Sequence, residues 1–200
     1  NVVSSQGAVP AHGSVHPSGK WFFVSNYIGA NVAVLPIHSD GRLGEAVDLE
    51  PISGPLGPMK AVDAPPGSFA NSGHDASHAH AIESDPAGKF VFVTDLGTDR
   101  IFIFKFDATT GKLTPNAQPF EQESPGAGPR HFAFHPNGLW FYVINEEAST
   151  ISFLLYDPTA GTLMRKQTLS SLPAGFTGTN FTSEIRVSSA GRFVLGAHRL

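Results

Sequence analysis

A fourfold internal repeat is the feature that most restricts how this chain can fold. Each copy has a polar turn ending in glycine, then a run of aromatic and β-branched residues, then a polar residue. The copies span residues 16–26, 85–95, 135–145 and 188–198, and their marker glycines are Gly19, Gly88, Gly138 and Gly191. Strand-forming units that recur at intervals of roughly 50 residues are typical of the blades of a β-propeller.

Short antiparallel strands joined by tight turns are predicted around each repeat. In the second copy the strands are predicted at residues 79–84, 90–94 and 101–106, with a hairpin at 110–113. Copies one and three keep this order, with strands at 31–37 and 150–156 and hairpins at 40–43 and 159–163. We therefore predict an all-β fold, a β-propeller of four-stranded antiparallel blades. Its core is expected to hold Trp21, Trp140 and most of the 16 phenylalanines.

A single domain is predicted for residues 1–200, containing about four repeat units. Residues 51–76 interrupt the period with a long segment rich in proline and glycine. Such a segment predicts a loop insertion that forms a lid or a pocket wall. Because open propeller ends would expose sheet edges, we expect the chain to be part of a longer ring.

The composition excludes several classes of partner. A formal net charge of −4 argues against a general binding surface for nucleic acid or for anionic membranes. No apolar segment approaches the roughly 20 residues that a membrane-spanning helix needs. The chain has no cysteine, which excludes disulfides and thiolate metal sites. The compartment stays open, with the cytoplasm slightly favoured.

The marker glycines also locate a cluster of charged residues at one end of the blades. Eight residues before the glycines stand Ala11, His80, Arg130 and Ser183, and eight after them stand Tyr27, Leu96, Glu146 and Arg199. Because blades share one orientation, these positions are expected to meet at one rim. A base, a carboxylate and two guanidiniums can bind an anion and move a proton. Each residue also has a structural alternative, as a hydrogen-bonded histidine, a bridge between blades or a static salt bridge.

The densest group of histidines lies just before the second repeat, at His74, His78 and His80, with Asp75 among them. Two imidazoles on one face of a strand are compatible with a zinc site. No further ligands complete such a site elsewhere in the sequence, so we predict no metal and no cofactor.

Several of these motifs resemble the lactonase family of seven-bladed propellers, which includes propeller-type 6-phosphogluconolactonases and carboxymuconate cyclases. The matching segments lie at residues 78–81, 88–101, 126–138, 143–146 and 183–193, and Gly-Ala-Gly-Pro-Arg-His at 126–131 is the most specific. The resemblance implies about three further blades. It also implies that His80, Arg130, Glu146 and Arg199 occupy active-site positions. The chain departs from the usual family sequence at residues 188–191 and 198–200.

We therefore predict a hydrolase that opens a sugar-acid lactone, most similar to 6-phosphogluconolactonase. Either His80 or Glu146 would deprotonate the attacking water while the other orients it, and Arg130 would assist catalysis. The residues predicted to bind a small anionic substrate, with or without a phosphate, are Arg130, Arg199, His131 and His78.

Two alternatives stay open at this point. A cycloisomerase of the carboxymuconate cyclase type would use the same residues on an unsaturated dicarboxylate. A non-catalytic binding propeller would instead show rim charges neutralised as structural pairs.

Overall fold

The computed structural model describes residues 1–70 and 73–199, apart from the side chain of Phe69. Within these residues the fold is all-β, as predicted, and its four-stranded sheets are antiparallel meanders. The first sheet comprises β1 (Pro10–Val15), β2 (Trp21–Asn26), β3 (Asn31–Pro36) and β4 (Asp48–Pro51). A short strand, β5 (Ser68–Phe69), follows it.

The later strands repeat the same order. The second sheet comprises β6 (Ala79–Ser84), β7 (Phe90–Asp95), β8 (Arg100–Asp107) and β9 (Lys112–Gln122). The third comprises β10 (Pro129–Phe134), β11 (Trp140–Asn145), β12 (Thr150–Asp157) and β13 (Thr162–Ser170). The short β14 (Gly178–Thr179) pairs in parallel with β5, and β15 (Phe181–Val187) pairs with β16 (Val194–Arg199). The five predicted strands are confirmed, with every boundary within one residue.

The sheets pack side by side as blades, with the first strand of each at the inner edge. Ser14 Oγ on β1 donates a hydrogen bond to the carbonyl of Ile82 on β6 at 2.8 Å. Thr94 Oγ1 on β7 donates to the carbonyl of Arg130 on β10 at 2.6 Å. Arg130 in turn donates to the carbonyl of Ser183 on β15. These bonds align the inner strands of neighbouring blades.

The four marker glycines occupy the turn between the first two strands of each blade, all with left-handed backbones at φ of 68°, 71°, 69° and 70°. An L side chain is strained in that region, so the glycine in the repeat has a steric cause. Two of these turns also join blades, since His16 Nε2 bonds the carbonyl of Gly88 at 3.0 Å. His135 Nε2 bonds the carbonyl of Gly191 in the same way at 2.8 Å.

Aromatic side chains fill the space between blades. Phe23, Trp21 and Phe106 pack edge to face between the first and second sheets. The prediction that Trp140 belongs to the core is wrong, because 38% of this residue is exposed. It lies at the blade surface, where its ring contacts His135 at 4.5 Å between centroids.

A β-bulge recurs near the start of every inner strand. The register shifts between Pro10 and His12 in β1 and between Pro129 and His131 in β10. The corresponding shifts in β6 and β15 fall between residues 79 and 82 and between residues 182 and 185. A bulge inserts an extra residue and redirects the local side chains. The residues eight positions before the marker glycines, His80 and Arg130 among them, lie inside these bulges.

The segment predicted as a loop at residues 51–76 is mostly irregular, but β4 ends at Pro51 and β5 lies within it. It packs against the ends of the second and third blades. Gly57 N donates to the carbonyl of Gly97 at 2.8 Å, and Val62 N donates to the carbonyl of Pro125 at 3.1 Å. It therefore covers the turns that lead into the predicted site.

Candidate active site

Glu146 lies between two guanidiniums at the end of β11. Its Oε2 is 2.7 Å from Nε of Arg130, and its Oε1 accepts a hydrogen bond from Nη2 of Arg199 at 2.8 Å. The Glu146 side chain is only 3% exposed, whereas that of Arg199 is 52% exposed. Two cations share one carboxylate, so the group has a formal net charge of +1. The half-exposed Arg199 presents that charge to solvent.

His80 approaches this ion-pair group from β6. The residue is buried, and neither ring nitrogen bonds to another described residue. Burial, and then the positive charge of Arg130, lowers the pKa of His80 to about 2. The imidazole is therefore neutral near pH 7 and has both nitrogens available for a ligand.

Two further histidines continue from His80 along the inner strands. The His131 ring lies edge to face with that of His80 at 4.9 Å, and the His12 ring lies 5.2 Å from that of His131. His131 Nδ1 contacts Glu184 Oε2 at 3.1 Å. Burial, opposed by the bond to Glu184, lowers the pKa of His131 to about 4. These imidazoles form a neutral, polar wall near pH 7.

Tyr27 closes the other side of His80. Its ring meets His80 edge to face at 5.8 Å and stacks on His78 at 4.2 Å with the planes 10° apart. His78 Nε2 bonds Asp75 Oδ1 at 2.9 Å, and its Nδ1 bonds the carbonyl of Tyr27 at 3.2 Å. Burial, and then the charge of Glu146, raises the pKa of Tyr27 to about 12, so the phenol keeps its proton.

A second buried charge group lies behind the rim. His74 Nε2 bonds Asp99 Oδ1 at 2.9 Å, and its Nδ1 bonds Glu147 Oε1 at 3.1 Å. The three side chains are at most 1% exposed. Burial opposes a charge on His74, but the hydrogen bonds to Asp99 and Glu147 outweigh it and raise the pKa to about 9. The imidazolium therefore joins the long segment to two different blades.

This group predicts a loss of stability at alkaline pH. Folded His74 keeps its proton up to a pKa of about 9, while the unfolded side chain loses it near 6.5. The stabilisation is thus complete below pH 6.5 and disappears as the pH rises through 9, a change of about 3 kcal/mol. Urea unfolding at pH 6 and at about pH 10 measures it, and His74→Gln should be nearly insensitive over this interval. Equal pH dependence in the two proteins would contradict the assignment.

The structure therefore brings together His80, Arg130, Glu146, Arg199 and His131 from the sequence prediction. His78 lies beside them, and both of its ring nitrogens are already hydrogen-bonded. It contacts the group through the ring of Tyr27. Sequence reasoning missed His12 and Glu184, although each stands seven residues before a marker glycine, as His131 does. This shared position, seven residues before a marker glycine, could have identified both residues from the sequence.

The histidines near the second repeat do not form the zinc site considered above. His74 and His78 use their ring nitrogens on carboxylates and on a carbonyl. Across the part of the chain that the structure describes, no group of three or more His, Asp or Glu side chains is arranged to hold a metal ion. The same residues include no helix long and apolar enough to cross a membrane.

Three four-stranded meanders and a two-stranded sheet, with cationic, carboxylate and imidazole groups at one rim, define a β-propeller. A family model described as lactonase, seven-bladed β-propeller, matches residues 1–200. The chain belongs to this lactonase family. The expected resemblance is thereby confirmed.

Curated relatives and solved structures give the same result. A 6-phosphogluconolactonase of Pectobacterium carotovorum is 33% identical over 192 residues, covering 96% of this chain and 51% of that protein. The 6-phosphogluconolactonase of Bacillus subtilis is 33% identical over 193 residues, covering 96% and 50%. The periplasmic gluconolactonase of Pseudomonas aeruginosa has a TM-score of 0.81 and 28% identity over 98% of this chain and 52% of that chain. The chain thus spans about half the length of the curated relatives it matches.

Proposed function

We propose that the protein to which this chain belongs hydrolyses a sugar-acid lactone. The observation that carries the proposal is Glu146 held between Arg130 and Arg199, with the unbonded imidazole of His80 beside them. The relatives named as 6-phosphogluconolactonases and as a gluconolactonase support the same reaction class.

The two guanidiniums have different surroundings and, in this proposal, different roles. Arg199 is half exposed and keeps donors beyond the one that bonds Glu146, so it binds the acidic group of the substrate. Arg130 is 14% exposed and its charge acts more strongly on His80 than that of Arg199 does, so it stabilises the oxyanion that forms on the lactone carbonyl. Glu146 holds both cations in place.

His80 is proposed as the base. Water attacks the carbonyl carbon of the lactone, and the imidazole takes the proton that the water loses. The ring carbon–oxygen bond then breaks, and the departing oxygen receives a proton to give the hydroxy acid. Because Arg130 and Arg199 both lower the pKa of His80, an anion bound between them would raise it toward the range of an effective base.

A phosphate on the substrate is the finer part of the proposal. A dianionic phosphate would gain more than a single carboxylate from the half-exposed Arg199, because charge-assisted bonds to guanidinium favour multiple acceptor oxygens. The ratio of kcat/KM for 6-phosphogluconolactone to that for gluconolactone measures this preference. A ratio near one would contradict a phosphate subsite at Arg199.

The non-catalytic alternative predicted that rim charges neutralise one another. Glu146 does pair with both arginines, yet the group keeps its formal net positive charge, and His80 keeps free ring nitrogens. A purely structural bridge between blades has no use for an unbonded buried imidazole. These observations favour catalysis over a scaffold.

Replacement of Arg130 by alanine tests the proposal directly. In the complete protein we expect kcat/KM for lactone opening to fall by at least about 100-fold, since an oxyanion donor is removed. Arg42→Ala is the matched control, because Arg42 pairs with Asp40 in an exposed turn. A panel of lactones and unsaturated dicarboxylates separates hydrolysis from cycloisomerisation. Wild-type turnover by the Arg130→Ala protein would overturn the assignment.

A further inference from the structure

The buried group of His74, Asp99 and Glu147 does not reach the rim, yet it contacts the backbone on both sides of the proposed site. His74 is one of several hydrogen-bond partners of Asp99. Its Oδ2 accepts a hydrogen bond from Gly126 N at 2.7 Å, and its Oδ1 accepts one from Gly128 N at 2.9 Å. One carboxylate thus holds two amides of the turn that ends just before Arg130.

The turn and the residue that holds it both have left-handed backbones. Gly126 and Gly128 have φ of 76° and 65°, and Asp99 itself has φ of 55°. A left-handed backbone at a non-glycine residue persists only where the surroundings enforce it. A Cβ on Gly126 would lie 2.6 Å from the carbonyl oxygen of Lys60. The long segment therefore packs directly onto the turn.

The same turn is joined to the residues around Glu146. Gly128 accepts a hydrogen bond from Glu146 N at 2.7 Å, and Ala127 accepts one from Glu147 N at 3.1 Å. Glu147 then bonds His74 through its side chain at 3.1 Å. The backbones that carry Arg130 and Glu146 are consequently linked to each other and to His74.

We propose that His74 and Asp99 are positioning residues that hold Arg130 and Glu146 at their mutual distance by fixing the turn at residues 126–128. Neither side chain is accessible to a substrate, because they are 0% and 1% exposed. They act through the backbone, and the long segment takes part in the site by supplying His74. The catalytic consequence rests on the proposed lactonase function, whereas the structural consequence does not.

The Asp99→Asn variant tests this in the complete protein, because it keeps the shape and removes the charge. We expect kcat to fall about 10-fold to 100-fold with a smaller change in KM, since a shift of about 1 Å in a catalytic group has effects of this size. We also expect amide exchange at Gly126 and Gly128 to accelerate at least about 10-fold, with core amides of β11 unchanged, because exchange reports local opening. The Nε–H signal of Arg130 in a nitrogen-15 spectrum should shift.

Asp157→Asn is the matched control. Asp157 also accepts hydrogen bonds from two backbone amides, those of Thr159 at 2.8 Å and Ala160 at 3.2 Å, but it lies in an exposed turn. This variant should leave kcat, the turn amides and the Arg130 signal as in the wild type. His74→Gln should reproduce the effects of Asp99→Asn.

These measurements distinguish failure of the positioning role from failure of the proposed lactonase function. If the wild-type protein opens no lactone, the exchange and Arg130 signals still decide the positioning role. If it is an active lactonase and Asp99→Asn keeps wild-type kcat, the proposal is wrong. Uniform acceleration of exchange across β11 and the turn would also overturn it, since that pattern reports general destabilisation.

Discussion

Replacing Glu146 with glutamine is expected to lower kcat/KM for lactone opening about 1000-fold in the complete protein. Glutamine keeps the size of the side chain but removes the charge that holds Arg130 and Arg199 at 2.7 and 2.8 Å. The two guanidiniums then repel each other, and both proposed roles, oxyanion stabilisation and substrate binding, are disturbed together. Losses of 10²–10⁴-fold are usual when such groups are removed.

The same substitution is expected to lower the free energy of unfolding by about 3 kcal/mol. Arg130 is mostly buried and would lose its compensating charge, which is the costly way to break a buried ion pair. Arg199 is half exposed and adds little, because solvent screens it. Urea unfolding measures the change.

Glu121→Gln serves as the control for Glu146→Gln. Glu121 is a partly buried carboxylate on β9 that accepts a hydrogen bond from Gln118 at 2.8 Å. We expect its replacement to leave kcat/KM unchanged and to alter stability by less than about 1 kcal/mol. If Glu146→Gln behaved like this control, Glu146 would be a dispensable rim charge, and the site would have to be sought elsewhere.

Much of the fold follows from the marker glycines, because a left-handed turn can be recognised from a single residue type. Gly19, Gly88, Gly138 and Gly191 fixed the order and the bounds of the strands around them. They also brought His80, Arg130, Glu146 and Arg199 to one rim, since hairpin geometry relates residues at equal distances from a turn. These inferences concern the geometry of a single hairpin, and a sequence repeat is sufficient to predict that geometry.

The bulges were not predictable in the same way. Each depends on how the inner strand pairs with its neighbour, and nothing in the repeat marks the extra residue. Because the bulge redirects two successive side chains, His12 joins the site beside the predicted His131, although both stand in the adjacent register. The exposure of Trp140 is a similar case, since its position depends on which blade surface is covered.

The buried group around His74 illustrates a third limit. Asp99 and Glu147 lie 25 and 73 residues after His74 in the sequence. The long segment that contains His74 does not follow the repeat. Sequence reasoning could only notice a histidine-rich stretch and consider zinc. Tertiary packing instead paired the imidazole with two carboxylates from different blades.

Replacing Phe92 with alanine is expected to lower the free energy of unfolding by about 3–5 kcal/mol. Phe92 is fully buried, and its ring centroid lies 5.5 Å from those of Phe134 and Phe141 and 5.6 Å from that of Tyr156. These partners belong to the third blade, so the ring joins two blades. Truncation of a buried phenylalanine removes its transfer free energy and leaves a cavity.

Phe193→Ala is the matched control, since Phe193 is 63% exposed and its removal should change stability by less than about 0.5 kcal/mol. Chemical denaturation of both variants at equal protein concentration measures the difference. The effect should also reach the site, because Thr94, two residues beyond Phe92 on β7, donates the 2.6 Å bond to the carbonyl of Arg130. Loosening the contact between the blades would therefore weaken the alignment of Arg130 before the protein unfolds. A Phe92→Ala protein as stable as Phe193→Ala would show that hydrogen bonds, rather than aromatic packing, hold the second and third blades together.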